Sequence, residues 1–92
     1  MLPKLIAAKY QGDYRVWLKF SDGVEGEVDL EKELWGEMFQ PLRDKALFAE
    51  LLVSEELETL VWPNGADFAP EFLYQQLRLN YALKPSPKSG AA

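Results

Sequence analysis

The 92-residue chain has no cysteine and no histidine. The first absence removes disulfides, thiolate nucleophiles and the thiolate zinc sites. The second removes the usual general base near neutral pH and the commonest transition-metal ligand, and with it every Ser-His and Cys-His triad. Carboxylates, lysine, arginine, tyrosine and hydroxyls remain for chemistry, and none is arranged as a catalytic set. No apolar run approaches the ~20 residues of a membrane span. The opening stretch, MLPKLIAAKY, lacks the long apolar core of a secretory leader. The expectation is a cytoplasmic protein with no membrane contact. Positive charge is also scarce. Ten lysines and arginines face fifteen aspartates and glutamates, for a net charge of −5. Lys84 and Lys88 lie in the tail, so the body is more acidic still. Such a body repels phosphate backbones. Direct nucleic-acid binding is not expected; a protein partner with a basic surface is. Nothing calls for a cofactor.

What is present is strand pattern first. In residues 14–20, YRVWLKF, Tyr14, Val16, Leu18 and Phe20 share one face, and Arg15, Trp17 and Lys19 the other. In residues 24–30, VEGEVDL, Val24, Val28 and Leu30 oppose Glu25, Glu27 and Asp29. A three-residue loop, Ser21-Asp22-Gly23, pairs Phe20 with Val24, Lys19 with Glu25 and Arg15 with Asp29. Gly23 then takes the left-handed position that closes such a loop. The same logic with a Gln11-Gly12-Asp13 loop sets Tyr10 opposite Tyr14, Ala8 opposite Val16 and Ile6 opposite Leu18.

Beyond the meander the pattern changes. Residues 31–38 are acidic, contain Trp35 and Gly36, and read as a short turn or helix piece. Asp44 can cap a helix over KALFAELL. Residues 59–62 form a strand that residues 51–54 can pair with. Pro70 opens the last helix at a position where its missing N–H costs nothing, and Asn80 is its expected end. The expected fold is α+β: an antiparallel three-stranded N-terminal meander plus a further strand or hairpin, with two short helices packed on one face. One domain spans residues 1–82, and a disordered polar tail spans 83–92. A core this small would gain from a second copy of the chain, so a homodimer is a further expectation.

Three blocks carry a family resemblance: FSDGVEGEVDL (20–30), FQPLRDKALFAELLV (39–53) and LVWPNGADFAPEFLY (60–74). In that order they resemble a small bacterial family, the domain-of-unknown-function family numbered 2442. The resemblance covers most of residues 5–77 and implies an α+β domain with no established biochemical activity. It also implies regulatory settings. Some relatives carry an added DNA-binding helix-turn-helix, and some are encoded beside another small protein in a toxin–antitoxin-like arrangement. This chain has only a short polar tail after Tyr81, where the fused relatives continue.

The stretch WPNGADFAPEFLYQQL (62–77) has a structural and a functional reading. Structurally, Trp62 ends a strand, Pro63-Asn64-Gly65 is turn chemistry, Asp67 caps the helix and Pro70 starts it. Functionally, it is a loop with Trp62 as a partner anchor. A bound anion at the helix start would have to compete with the Asp67 carboxylate. Trp17, Trp62, Asn64, Asp67 and Tyr74 are the candidate partner contacts, with Glu25, Glu27 and Asp29 as an acidic face. The acids of that run, with Glu31, Glu33 and Glu37, otherwise read as a solvated surface paired with Arg15 and Lys19. Two functions from different classes follow. One is a non-enzymatic, regulatory or antitoxin-like protein-interaction module. The other is a protein that binds a small ligand or divalent metal through Glu27, Asp29 and Asp67.

Overall fold

Alternating side chains build the first sheet. The computed structural model describes residues 3–83, with side chains followed through residue 79. Strands β1 (Leu5–Tyr10), β2 (Arg15–Phe20) and β3 (Glu25–Asp29) lie in that order, antiparallel throughout. Val16, Leu18 and Phe20 are fully buried, while Arg15, Trp17 and Lys19 are half-buried on the opposite face. The β2–β3 register is the expected one: Arg15 opposite Asp29, Val16 opposite Val28 and Lys19 opposite Glu25.

The first hairpin departs from expectation. Tyr10 faces Val16 and Ala8 faces Leu18. The slip is an even number of residues, so each side chain keeps its face. Its cause is a longer loop, in which Gly12 (φ 104°) and Asp13 (φ 49°) turn the chain and the Arg15 N–H donates to the Gly12 carbonyl at 2.9 Å. Near its start β1 bulges between Leu5 and Ala7. An extra residue reverses the alternation there. Leu5, opposite Phe20, enters the core, and Ile6, expected inside, is exposed.

The second sheet pairs β4 (Leu52–Ser54) with β5 (Thr59–Val61), antiparallel. This is the expected pairing of the 51–54 and 59–62 segments, and it takes Leu52 from the end of the expected helix. Helix α1 covers only Lys45–Phe48, with the Asp44 carboxylate accepting the Ala46 N–H at 3.0 Å as its cap. Isolated helices this short are marginal, and ladder hydrogen bonds to β5 satisfy the residues that follow. Short 3₁₀ turns occupy Glu31–Glu33 and Gln40–Arg43. Helix α2 starts at Pro70 as expected and continues past Asn80 to Leu83. Beyond Leu83 the expected polar tail lies outside the described residues.

Both helices pack on the inner face of the first sheet. Phe48 of α1 is fully buried, edge-on to Tyr14 (ring centroids 5.4 Å) and beside Trp62 (5.5 Å). Leu73 and Leu77 of α2 are buried over β3. Gly26 makes that approach possible, because a Cβ there would lie 2.7 Å from Leu77 Cδ2. The fold is therefore α+β, with the other sheet face left open.

Candidate functional site

Two loops of the chain are the same turn. In F-S-D-G-V the Gly23 N–H donates to the Phe20 carbonyl (2.9 Å) and the Phe20 N–H to the Val24 carbonyl (2.8 Å). In W-P-N-G-A the Gly65 N–H donates to the Trp62 carbonyl (3.0 Å) and the Trp62 N–H to the Ala66 carbonyl (2.9 Å). Both glycines sit near φ +90°, at 92° and 91°. In each loop the third residue accepts the N–H two residues on: Asp22 from Val24 and Asn64 from Ala66, both at 3.0 Å. This is the three-residue hairpin loop with a left-handed closing glycine. WPNGA is thus a hairpin before it is a helix entry. Residues 66–68 run back along β5, with an isolated bridge between Val61 and Asp67.

The remaining polar atom of each turn residue makes a distant tie. Asp22 Oδ2 accepts the Tyr74 hydroxyl at 2.6 Å, pinning α2 to the meander. That hydrogen bond, with the Val24 N–H, holds the Asp22 carboxyl below its ordinary value. The same contact raises Tyr74 above the usual phenol value. Asn64 Nδ2 donates to the Met38 carbonyl at 2.9 Å, which ties the second hairpin to the acidic connector.

The other candidates fall in separate places. Trp62 is buried, 3% exposed, and its indole N–H donates to the Phe48 carbonyl at 2.8 Å. It is a core residue that offers no surface to a partner. Asp67 does not cap α2. Pairing with β5 carries it into the hairpin, Ala69 adjoins Pro70, and no hydrogen bond reaches its carboxylate among the described residues. Trp17 is half-buried at the centre of the open sheet face, between Lys9 and Glu27 in one rung. Around it Arg15 faces Asp29, Lys19 faces Glu25, and Arg15 also reaches Glu27 at 3.9 Å. The acidic face of Glu25, Glu27 and Asp29 is therefore matched by bases across the sheet. Asp67 lies on a different sheet from Glu27 and Asp29, and no group of three carboxylates placed to hold a metal occurs among the described residues.

A different surface gathers aromatic side chains: Trp35 is exposed, Phe39 and Phe72 are half-buried and Phe68 is buried. Phe39, Phe68 and Phe72 stack in series, with centroids 4.6 and 5.4 Å apart and planes 27° and 16° from parallel. They come from three segments: the connector, the returning arm of the second hairpin, and the first turn of α2. With Trp35 and Glu33 they line a groove of about 280 Å³. Trp35 is 71% exposed. The Asn64–Met38 bond holds the connector against the hairpin beside this groove.

Sequence reasoning passed over Trp35, Phe39, Phe68 and Phe72 as a group. The available signal was Trp35 itself, a large aromatic in a stretch with neither strand nor helix period to place it. These features define a small α+β domain with two matched hairpin loops and one open aromatic groove. The chain belongs to the protein family of unknown function DUF2442, whose family model matches residues 5–78. No curated protein and no solved structure matches the chain. No described helix is long and apolar enough to cross a membrane.

Proposed function

We propose that this domain is a protein-interaction module and that the aromatic groove is its docking surface. The observation that carries this reading is Trp35, exposed at 71% on an open groove floored by three stacked phenylalanines. Burying a large apolar side chain gains about 1.5–3 kcal/mol, and the fold leaves Trp35 in water. A single exposed apolar residue needs no explanation, whereas a continuous apolar patch marks a contact site. Tryptophan is also the residue most enriched at binding hot spots. The open sheet face supports the reading less well, because Glu25 and Asp29 already face Lys19 and Arg15, and Arg15 also reaches Glu27. As the regulatory or antitoxin-like half of a two-gene pair, such a module would act by covering a surface of its partner.

The test is capture from a lysate of the source cells with two baits, the wild-type chain and Trp35→Ala. Trp35 makes no buried contact that the fold needs, so both baits should melt alike. A protein held in near-stoichiometric amount by wild type and lost with Trp35→Ala is expected. Equal capture by both baits would place docking elsewhere.

A further inference from the structure

We propose that the groove seats an arginine side chain of a basic partner, an inference that rests on the docking reading above. Size limits the occupant first. At about 280 Å³ the groove lies at the lower edge of the range of pockets that bury a whole small-molecule ligand, roughly 300–1,000 Å³. One side chain with part of its neighbour fits.

Charge sets the chemistry. The walls come from residues 33–39, ELWGEMF, and 67–72, DFAPEF. Glu33 lines the groove itself; Glu37, Asp67 and Glu71 lie in the same two segments, which contain no lysine or arginine. None of the four carboxylates forms an ion pair with the adjacent bases, or with any other, among the described residues. Lys32 lines a different surface with Asp29 and Glu31, and the Arg43 guanidinium donates to the Leu34 carbonyl at 3.2 Å. The groove therefore offers aromatic faces, which carry a negative quadrupole, beside the Glu33 carboxylate. A cation with an apolar stem matches both features. Arginine matches better than lysine, because its planar guanidinium stacks on aromatic rings while its fork takes a carboxylate such as Glu33.

The experiment is a titration of the isotopically labelled chain with the peptide Ac-Gly-Leu-Arg-Leu-Gly-amide, followed by NMR. Controls replace arginine with citrulline, which keeps the shape and removes the charge. One seated side chain should bind with a Kd on the order of 1 mM. The arginine peptide is expected to move the Trp35 indole signal and the amides of residues 33–39 and 67–72. Citrulline should weaken binding at least about fivefold, and Trp35→Ala by a similar factor. Glu33→Gln should weaken the arginine peptide and leave the citrulline peptide unchanged. Equal binding of arginine and citrulline would overturn the cation seat. Shifts confined to β2 and β3 would overturn the groove while leaving an interaction module in place. No shift at about five times that Kd would also overturn the inference, and the two-bait capture would then decide the docking reading by itself.

Discussion

Asp22 and Asn64 occupy the same position in the same turn, and the difference between them is one atom with consequences. Each uses an oxygen to close its loop. Asp22 then needs a second acceptor for Tyr74, and a carboxylate provides it. Asn64 needs a donor for the Met38 carbonyl, and only the amide provides it. Asn64→Asp should therefore keep the hairpin and break the tie to the connector. A lost hydrogen bond of this kind costs roughly 1 kcal/mol, seen as a drop of about 4–8 °C in Tm for a domain of this size. Amide exchange should quicken in residues 33–39 while the hairpin N–H groups of Gly65 and Ala66 stay protected. An unchanged melting point with unchanged exchange would contradict this role. The turn residues were legible, since Asp-Gly and Asn-Gly announce left-handed glycine turns. Their second bonds were not, because the partners lie 52 and 26 residues away.

Helix α2 is docked by apolar packing over Gly26 and by the hydrogen bond from Tyr74 to Asp22. That contact makes docking sensitive to acid. The Tyr74 hydroxyl, followed by the Val24 N–H, depresses the Asp22 carboxyl below its ordinary 3.8. A depressed carboxyl contributes stability above its unfolded value and loses it as the pH falls through its folded value. Tyr74→Phe keeps the ring edge-on to Phe20, 5.1 Å away, and removes the donor. Its Tm should lie below wild type at pH 6, and the gap should narrow as the pH falls below 3.8. A gap that stays constant down to about pH 2.5 would contradict the assignment. At this scale the β2–β3 register was legible because apolar met apolar and base met acid across it. The bulge at Ile6 was hidden, since one inserted residue reverses alternation without changing composition. Helix KALFAELL was overestimated: it ends at Phe48, and Leu52 enters the ladder that residues 51–54 were expected to form with the strand at 59–62. Asp67 was misread for the same reason: a capping residue type close to a proline was drawn instead into pairing with Val61.

Across the whole molecule, charge and apolar exposure are distributed unevenly. The open sheet face interleaves acids with bases, while the groove sets the exposed Trp35 and the half-buried Phe39 and Phe72 beside Glu33. The acidity was legible from composition; the groove was not, because it joins three segments that only the folded chain brings together. The three tryptophans happen to report three different regions: Trp17 the open sheet face, Trp35 the groove and Trp62 the core. The most direct test labels the chain with 5-fluorotryptophan and follows the three fluorine signals as the captured, unlabelled partner is added. The Trp35 signal should move on complex formation, with Trp17 and Trp62 holding their positions. Movement of Trp17 with Trp35 unchanged would contradict the groove as docking surface and assign that role to the sheet face.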